Sequence, residues 1–187
     1  MDHYIDITVL PDPEFPATTL MNALFAKLHR GLVDHGGQDI GVSFPDVVQS
    51  KRALGQRLRL HGSSRSLDRF MTTGWMQGMR DHVTVTPVQP VPAGVQHRVV
   101  RRVQAKSNPE RLRRRLMVRK SIDAEAARAA IPDAAARMLE LPYVEIGSRS
   151  TQQRFRLFIE HLEPVSTPRE GTYGSYGLSS SATIPWF

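Results

Sequence analysis

The chain has 187 residues, among them 21 Arg and 4 Lys against 18 acidic residues, and a formal net charge of +7. Without cysteine it has no disulfide bond, no thiolate metal site and no cysteine nucleophile. No apolar run approaches the ~20 residues that span a bilayer, and Met1–Asp6 lacks the basic and apolar regions of a secretory signal. We therefore expect a cytoplasmic protein with no membrane partner.

The first half predicts elements in the order strand, helix, strand, strand, helix, strand, which is the order of a ferredoxin-like unit. The strands come from apolar alternation and the helices from apolar residues at helical spacing, with Gly36-Gly37 ending the first helix. The predicted strands are 3–10, 40–44, 57–61 and 83–88, and the predicted helices are 18–33 and 63–71. Pro87, Pro90, Pro92 and Gly94 mark a boundary. We predict a ferredoxin-like domain over residues 1–94.

The second half, residues 95–187, predicts a C-terminal α+β domain with an arginine-rich helix. An extended arm at 96–106 is followed by Ser107-Asn108-Pro109-Glu110, a capping box that begins a helix. That helix ends near Lys120, and an alanine-rich helix covers about 123–131. Strands at 143–147 and 154–161 predict a hairpin. The fold class of the whole chain is therefore predicted to be α+β.

Positive charge is concentrated between Arg98 and Lys120. This segment holds ten basic residues and one acid, Glu110, for a charge of +9, whereas the remainder carries 15 basic and 17 acidic residues. A near-neutral protein with one arginine-rich stretch favours a polyanionic partner, because the guanidinium fork suits phosphate oxygens and guanine edges. The alternative is a solvated charged face, although such faces usually mix both signs.

Within the predicted helix, four arginines occupy an arc of about 140° at 100° per residue, with leucines on the adjoining arc. The arginines are Arg111, Arg114, Arg115 and Arg119; the leucines are Leu112 and Leu116. Upstream, Arg102 and Gln104 would share one side of the extended arm, and these residue types pair with guanine and adenine. A-form RNA hides its major groove from side chains, so a short hairpin is a more plausible ligand than a long duplex.

The sequence offers no motif for metal-dependent phosphodiester chemistry. The seven histidines show no His-x-His or His-x-x-x-His spacing, and no acidic cluster suggests two metal ions. A nuclease built from this chain would use general acid–base catalysis, for which histidine is suited. Two alternatives remain open. One is a non-catalytic RNA-binding subunit of a ribonucleoprotein, and the other is a DNA-binding regulator.

Several runs in this sequence resemble one known family from end to end. They are Met1–Tyr4, Pro11–Pro16, Lys27–His29, Gly41–Pro45, Arg102–Leu116, Phe155–Ile159, Tyr176–Leu178 and Pro185–Phe187. Together they resemble the CRISPR-associated repeat-processing endoribonuclease of type I-F systems, the Csy-subtype nuclease. The resemblance implies a metal-independent enzyme without a cofactor that cuts the precursor CRISPR transcript at the base of each repeat hairpin. It also implies that the enzyme stays bound to the guide RNA within a surveillance complex.

The resemblance also implies roles for individual residues. His29 is expected to be the catalytic histidine and Ser148 its partner, supported by Ser150 and Tyr176. The RNA-binding set is expected to be Arg102, Gln104, Arg111, Arg114, Arg115, Arg119, Lys120 and Phe155. In that set Arg102 and Gln104 read bases near the foot of the stem, and Phe155 stacks on the terminal base pair. Val118 departs from the family, whose members carry further basic residues late in this helix.

Overall fold

The computed structural model of the chain describes residues 1–48, 52–104, 109–132, 140–147 and 153–187. Helices and antiparallel strands occur together, which confirms the predicted α+β class. The residues group into two compact units, one of Met1–Val103 with Leu141–Phe187 and the other of Gln104–Glu140. The division of the chain into domains of residues 1–94 and 95–187 stays a prediction.

The larger unit contains an antiparallel sheet in the spatial order β2-β3-β1-β4, with β5 also pairing with β1. Its strands are β1 His3–Val9, β2 Gly41–Ser43, β3 Arg57–Gly62, β4 Val83–Val85 and β5 Gln89–Pro90. Helix α1, Ala17–His35, follows β1, and helix α2, Ser64–Met71, follows β3. The order along the chain up to β4 is the one that the ferredoxin-like prediction requires.

Helix α1 turns one apolar stripe toward the core. Its buried residues recur at spacings of three and four: Leu20, Met21, Leu24, Phe25, Leu28, Gly31 and Leu32. Gly36 ends the helix in the left-handed conformation, with φ of 69°, and its N–H donates to the carbonyl of Leu32. Glycine suits this position because it has no Cβ to clash with the preceding turn. His29 is half-buried at the edge of the stripe.

A second antiparallel sheet packs in the same unit. Its order is β7-β9-β8, formed by β7 Val100–Val103, β8 Tyr143–Gly147 and β9 Arg154–His161. The predicted hairpin is confirmed, because β8 and β9 pair from Tyr143↔Phe158 to Gly147↔Arg154. The predicted arm at 96–106 is instead divided, since β6, Gln96–Arg98, pairs with β10, Ile184–Trp186. The side chain of Asn22 on α1 accepts the N–H of Glu145, which ties α1 to β8.

The smaller unit consists, in its described part, of helices α3, Pro109–Lys120, and α4, Ala124–Ala130. Asp123 caps α4 by accepting the N–H of Ala126. Nε of Arg113 donates to the carbonyl of Ile131, at 2.7 Å, where α4 ends. Arg113 therefore joins the two helices. Among the described residues, no helix is long and apolar enough to cross a membrane.

Two buried histidines of the larger unit predict a loss of stability in acid. Burial lowers the pKa of His161 to about 4, with a smaller contribution from Arg98, and burial lowers the pKa of His61 well below its usual value. In the unfolded chain these two histidines bind protons near pH ~6.5, whereas in the folded chain they bind protons only at a lower pH. The free energy of unfolding should therefore fall as the pH drops from about 6.5 to 4, by ~3 kcal/mol from His161 alone.

Urea unfolding at pH 7.5, 6.0 and 5.0 checks this expectation, since most carboxylates titrate below that range. His161→Gln removes the titrating group, so the pH dependence should become shallower whatever the variant's stability at pH 7.5. An unchanged slope in His161→Gln would show that other groups control the acid sensitivity.

Candidate active site

His29 projects from α1 into a contact with a loop far along the chain. Its ring stacks on the ring of Tyr176, with centroids 4.0 Å apart and planes 15° from parallel. Nδ1 of His29 lies 2.8 Å from the main-chain oxygen of Ser175. Because a carbonyl oxygen only accepts, Nδ1 carries the proton of this bond. In the neutral ring Nε2 is then the basic atom, and it is the atom able to exchange protons with a ligand.

The ring of Tyr176 is itself anchored by the core. It lies parallel to the ring of Phe25, with centroids 6.3 Å apart and planes 2° apart. Phe25 is fully buried and packs on Phe44. Phe25 and His29 are four residues apart on α1, so Tyr176 covers two successive turns of one helix face. The core therefore fixes the plane in which His29 stacks.

The loop that carries Tyr176 is held against β2 by a glycine turn. Gly177 has φ of 68°. The carbonyl of Gly177 accepts a hydrogen bond from the N–H of Val42 on β2. Within the turn, the N–H of Gly177 donates to the carbonyl of Gly174, and the N–H of Gly174 donates to the carbonyl of Leu178. A Cβ built at Gly177 would lie 2.2 Å from Cγ2 of Val42, which is fully buried. Only glycine fits this turn without displacing the sheet or the loop.

Gly177→Ala should therefore lower activity by moving Tyr176 and the Ser175 carbonyl away from His29. The left-handed backbone costs about 1–2 kcal/mol and the clash with Val42 about 1–3 kcal/mol, so the melting temperature should also fall. The matched control is Gly174→Ala, because among the described residues a Cβ there would meet only the main-chain oxygen of Leu178, at 3.7 Å. Equal melting temperatures and equal activities for the two variants would contradict this account of the turn.

Arg102 and Phe155 lie next to the same tyrosine. Cζ of Arg102 is 5.4 Å from the ring centroid of Tyr176 and 5.7 Å from that of Phe155. Arg102 is exposed on β7, and Phe155 is half-buried on β9. The structure thus brings together four of the predicted site residues, His29, Tyr176, Arg102 and Phe155. Gln104 is exposed and belongs to the smaller unit.

Helix α3 presents four of its five arginines to solvent. Arg111, Arg114, Arg115, Arg119 and Lys120 are all exposed, whereas Leu112 and Leu116 are half-buried beside Ile131. This division agrees with the faces predicted from helical spacing. Val118 is 82% exposed and falls within the arginine arc. Nη2 of Arg114 lies 4.0 Å from Oε1 of Glu110, and an ion pair this exposed contributes little to stability.

Two predicted site residues, Ser148 and Ser150, lie outside the described residues. They belong to the segment between β8 and β9, whose flanking residues Gly147 and Arg154 pair with each other. Their predicted roles stay predictions. Within the described ranges, no three histidine, aspartate or glutamate side chains converge as a metal site would require.

Sequence reasoning missed two contributors to the site. The main-chain oxygen of Ser175 fixes the His29 tautomer, and no side-chain pattern reveals a carbonyl contact of this kind. Phe25 supports Tyr176. Its position four residues before His29 on α1 could have indicated that both side chains contact the same partner, but apolar stripes on helices usually indicate core packing. Arg113 also differs from its neighbours, because it bonds to Ile131 within the smaller unit.

Comparison with known proteins gives concordant matches. A family model described as CRISPR-associated protein (Cas_Csy4) matches residues 4–187. A protein of Pseudomonas aeruginosa (strain UCBPP-PA14) named CRISPR-associated endonuclease Cas6/Csy4 is 52% identical over the full length of both chains. A protein of the same name from Escherichia coli (strain UTI89 / UPEC) is 49% identical, again over the full length of both.

Proposed function

The chain belongs to the Cas_Csy4 family of CRISPR-associated proteins, and on that premise we propose that it is an endoribonuclease that processes CRISPR transcripts. It binds the repeat stem-loop in the precursor and cuts at the base of the hairpin without a metal ion. The observation that carries this proposal is the His29–Tyr176 stack, in which the Ser175 carbonyl fixes Nδ1 and leaves Nε2 for proton transfer. The two relatives are named endonucleases, which supports the same activity for this chain.

The proposed reaction uses the RNA's own 2′-hydroxyl as nucleophile. Its oxygen forms a bond to the adjacent phosphorus while the bond from phosphorus to the 5′-oxygen breaks. One proton leaves the 2′-oxygen and one arrives at the 5′-oxygen, which gives a 2′,3′-cyclic phosphate and a 5′-hydroxyl. Nε2 of His29 transfers one of these two protons. The hydroxyl of Ser148, with Ser150 in support, would hold the nucleotide so that its 2′-oxygen is in line with the leaving group.

RNA binding is proposed to divide between phosphate contacts and base contacts. The exposed arginines of α3, with Lys120, neutralise phosphates along the stem. Arg102 and Gln104 read base edges near its foot, and the half-buried ring of Phe155 stacks on the terminal base pair. These contacts persist after cleavage, so the protein keeps the guide RNA. We further propose that it works with other subunits of a type I-F surveillance complex.

Incubation with a CRISPR repeat hairpin in EDTA tests the proposal against its alternatives. Cleavage of the hairpin at its base, with a fully DNA hairpin of the same sequence left intact, is the expected result. Tight hairpin binding without any cleavage, with or without magnesium, would instead support a non-catalytic RNA-binding subunit. Preference for duplex DNA would support a regulator.

A further inference from the structure

Arg102 differs from Arg101 and Arg156 of the same sheet in what holds its side chain. Nε of Arg101 donates to Glu160 at 2.7 Å, and Nε of Arg156 lies 3.3 Å from Oε1 of Glu145. Within the described residues, Arg102 has no hydrogen bond or ion pair, and its contacts are the rings of Tyr176 and Phe155. Two aromatic rings therefore lie beside the guanidinium of Arg102, whereas a carboxylate binds that of Arg101 and that of Arg156.

The difference matters for base reading. A carboxylate would occupy the same N–H groups that guanine needs. The carboxylate accepts two hydrogen bonds from the guanidinium through its two oxygens, and guanine accepts two through O6 and N7. A ring attracts the cation through its π-face and takes no hydrogen bond from it. The two rings thus restrict the side chain of Arg102 while its donors stay available to a base. This arrangement lowers the ordering cost of recognition.

Tyr176 is the ring that also contacts His29. It stacks on His29 and Phe25, and the Gly177 turn holds its loop to β2. We propose that Tyr176 positions Arg102 for base reading as well as His29 for proton transfer, so that one ring links stem recognition to cleavage. The inference rests on the proposed function, and it assigns to a residue of the cleavage site a share in sequence specificity.

The test measures binding and cleavage separately. The binding probe is a repeat hairpin with a 2′-deoxy nucleotide before the scissile phosphate, prepared with each of the four base pairs at every position near the foot of the stem. The base pair that Arg102 reads is identified by comparing hairpin affinities. It is the position at which wild type prefers one base pair over the others and Arg102→Ala does not. The measured quantity is the ratio of dissociation constants between guanine and the other bases at that pair. A cleavable version gives the rate.

We expect wild type to favour guanine by about 5- to 150-fold. Tyr176→Leu should reduce that ratio by about 2- to 5-fold, the share of one exposed cation–π contact, and should also slow cleavage. Tyr176→Phe keeps the ring and should keep the ratio. Combining Tyr176→Leu with Arg102→Ala should reduce the ratio no further than Arg102→Ala alone. Where leucine unfolds the loop, judged by thermal melting, Tyr176→Met repeats the measurement.

The matched control is Tyr143→Leu, because Cζ of Arg156 lies 4.6 Å from the ring of Tyr143 in the same sheet. Its guanine ratio should equal that of wild type. An unchanged ratio in Tyr176→Leu would overturn the inference and leave Tyr176 serving His29 alone. A wild-type protein without any base preference would overturn it as well. Absence of cleavage with the ratios as expected would overturn the proposed reaction and the link to cleavage, and would leave standing only the share of Tyr176 in base reading.

Discussion

His29→Ala should slow cleavage of the repeat hairpin by about 100-fold or more while its affinity for the hairpin stays within about threefold of wild type. Proton transfer by a positioned side chain contributes typically 10²–10⁴-fold to a rate. Binding depends instead on phosphate contacts, to which one half-buried imidazole adds little. Single-turnover cleavage and filter binding on the same RNA measure the two effects.

His29→Phe sharpens this test, because His29 also supports Tyr176 through ring stacking at 4.0 Å. Phenylalanine keeps a flat ring on Tyr176 but transfers no proton. We expect it to be as inactive as alanine and to bind as wild type does. His3→Ala, which removes a half-buried histidine on β1, is the control and should cut normally. Cleavage by His29→Phe at the wild-type rate would refute the catalytic assignment.

The second large effect is expected on α3. Replacing Arg114, Arg115 and Arg119 together by alanine should weaken hairpin binding and reduce the salt slope by up to about one unit for each arginine. The reason is that each exposed guanidinium releases counterions from the phosphate it neutralises. Affinity measured from 50 to 500 mM salt gives the slope. If the slope does not change, the exposed arc is a solvated surface and the RNA lies elsewhere.

Val118 provides a test of opposite sign on the same helix. The side chain is 82% exposed within the arginine arc, so Val118→Arg adds a charge without removing a buried contact. Affinity should rise and the salt slope should steepen by up to about one unit. Arg113→Ala is the contrasting control, because Arg113 bonds to the carbonyl of Ile131. It should lower the thermal stability of the smaller unit and change the slope less than Arg114→Ala does.

Elements with a strong local signal were predicted well from sequence. The end of α1 follows from Gly36, and the start of α2 follows from Ser63, whose side chain accepts the N–H of Ser66. Short strands were missed or merged. β5 and β10 have two and three residues, and they exist because a distant strand offers hydrogen bonds, which no local periodicity encodes. The break at Val99 between β6 and β7 has the same cause.

The candidate site shows the same division. The spacing of arginines and leucines on α3 predicted which face is exposed, because helical geometry is local. No spacing could place His29 beside Tyr176, since the Ser175 carbonyl that His29 meets is 146 residues away along the chain. That pairing depends on how α1 and the Gly177 turn pack on one sheet. Only the family resemblance indicated it in advance.

We infer that His29 assists attack by the RNA's own 2′-hydroxyl, and an experiment that identifies the nucleophile tests this most directly. The measurement is cleavage, in EDTA, of a repeat hairpin with a single 2′-deoxy nucleotide before the scissile phosphate, beside the all-ribose hairpin. We predict that the all-ribose RNA is cut to a 2′,3′-cyclic phosphate and a 5′-hydroxyl, and that the 2′-deoxy RNA binds equally well but is not cut. Cleavage of the 2′-deoxy RNA, or cleavage only when magnesium is restored, would contradict it.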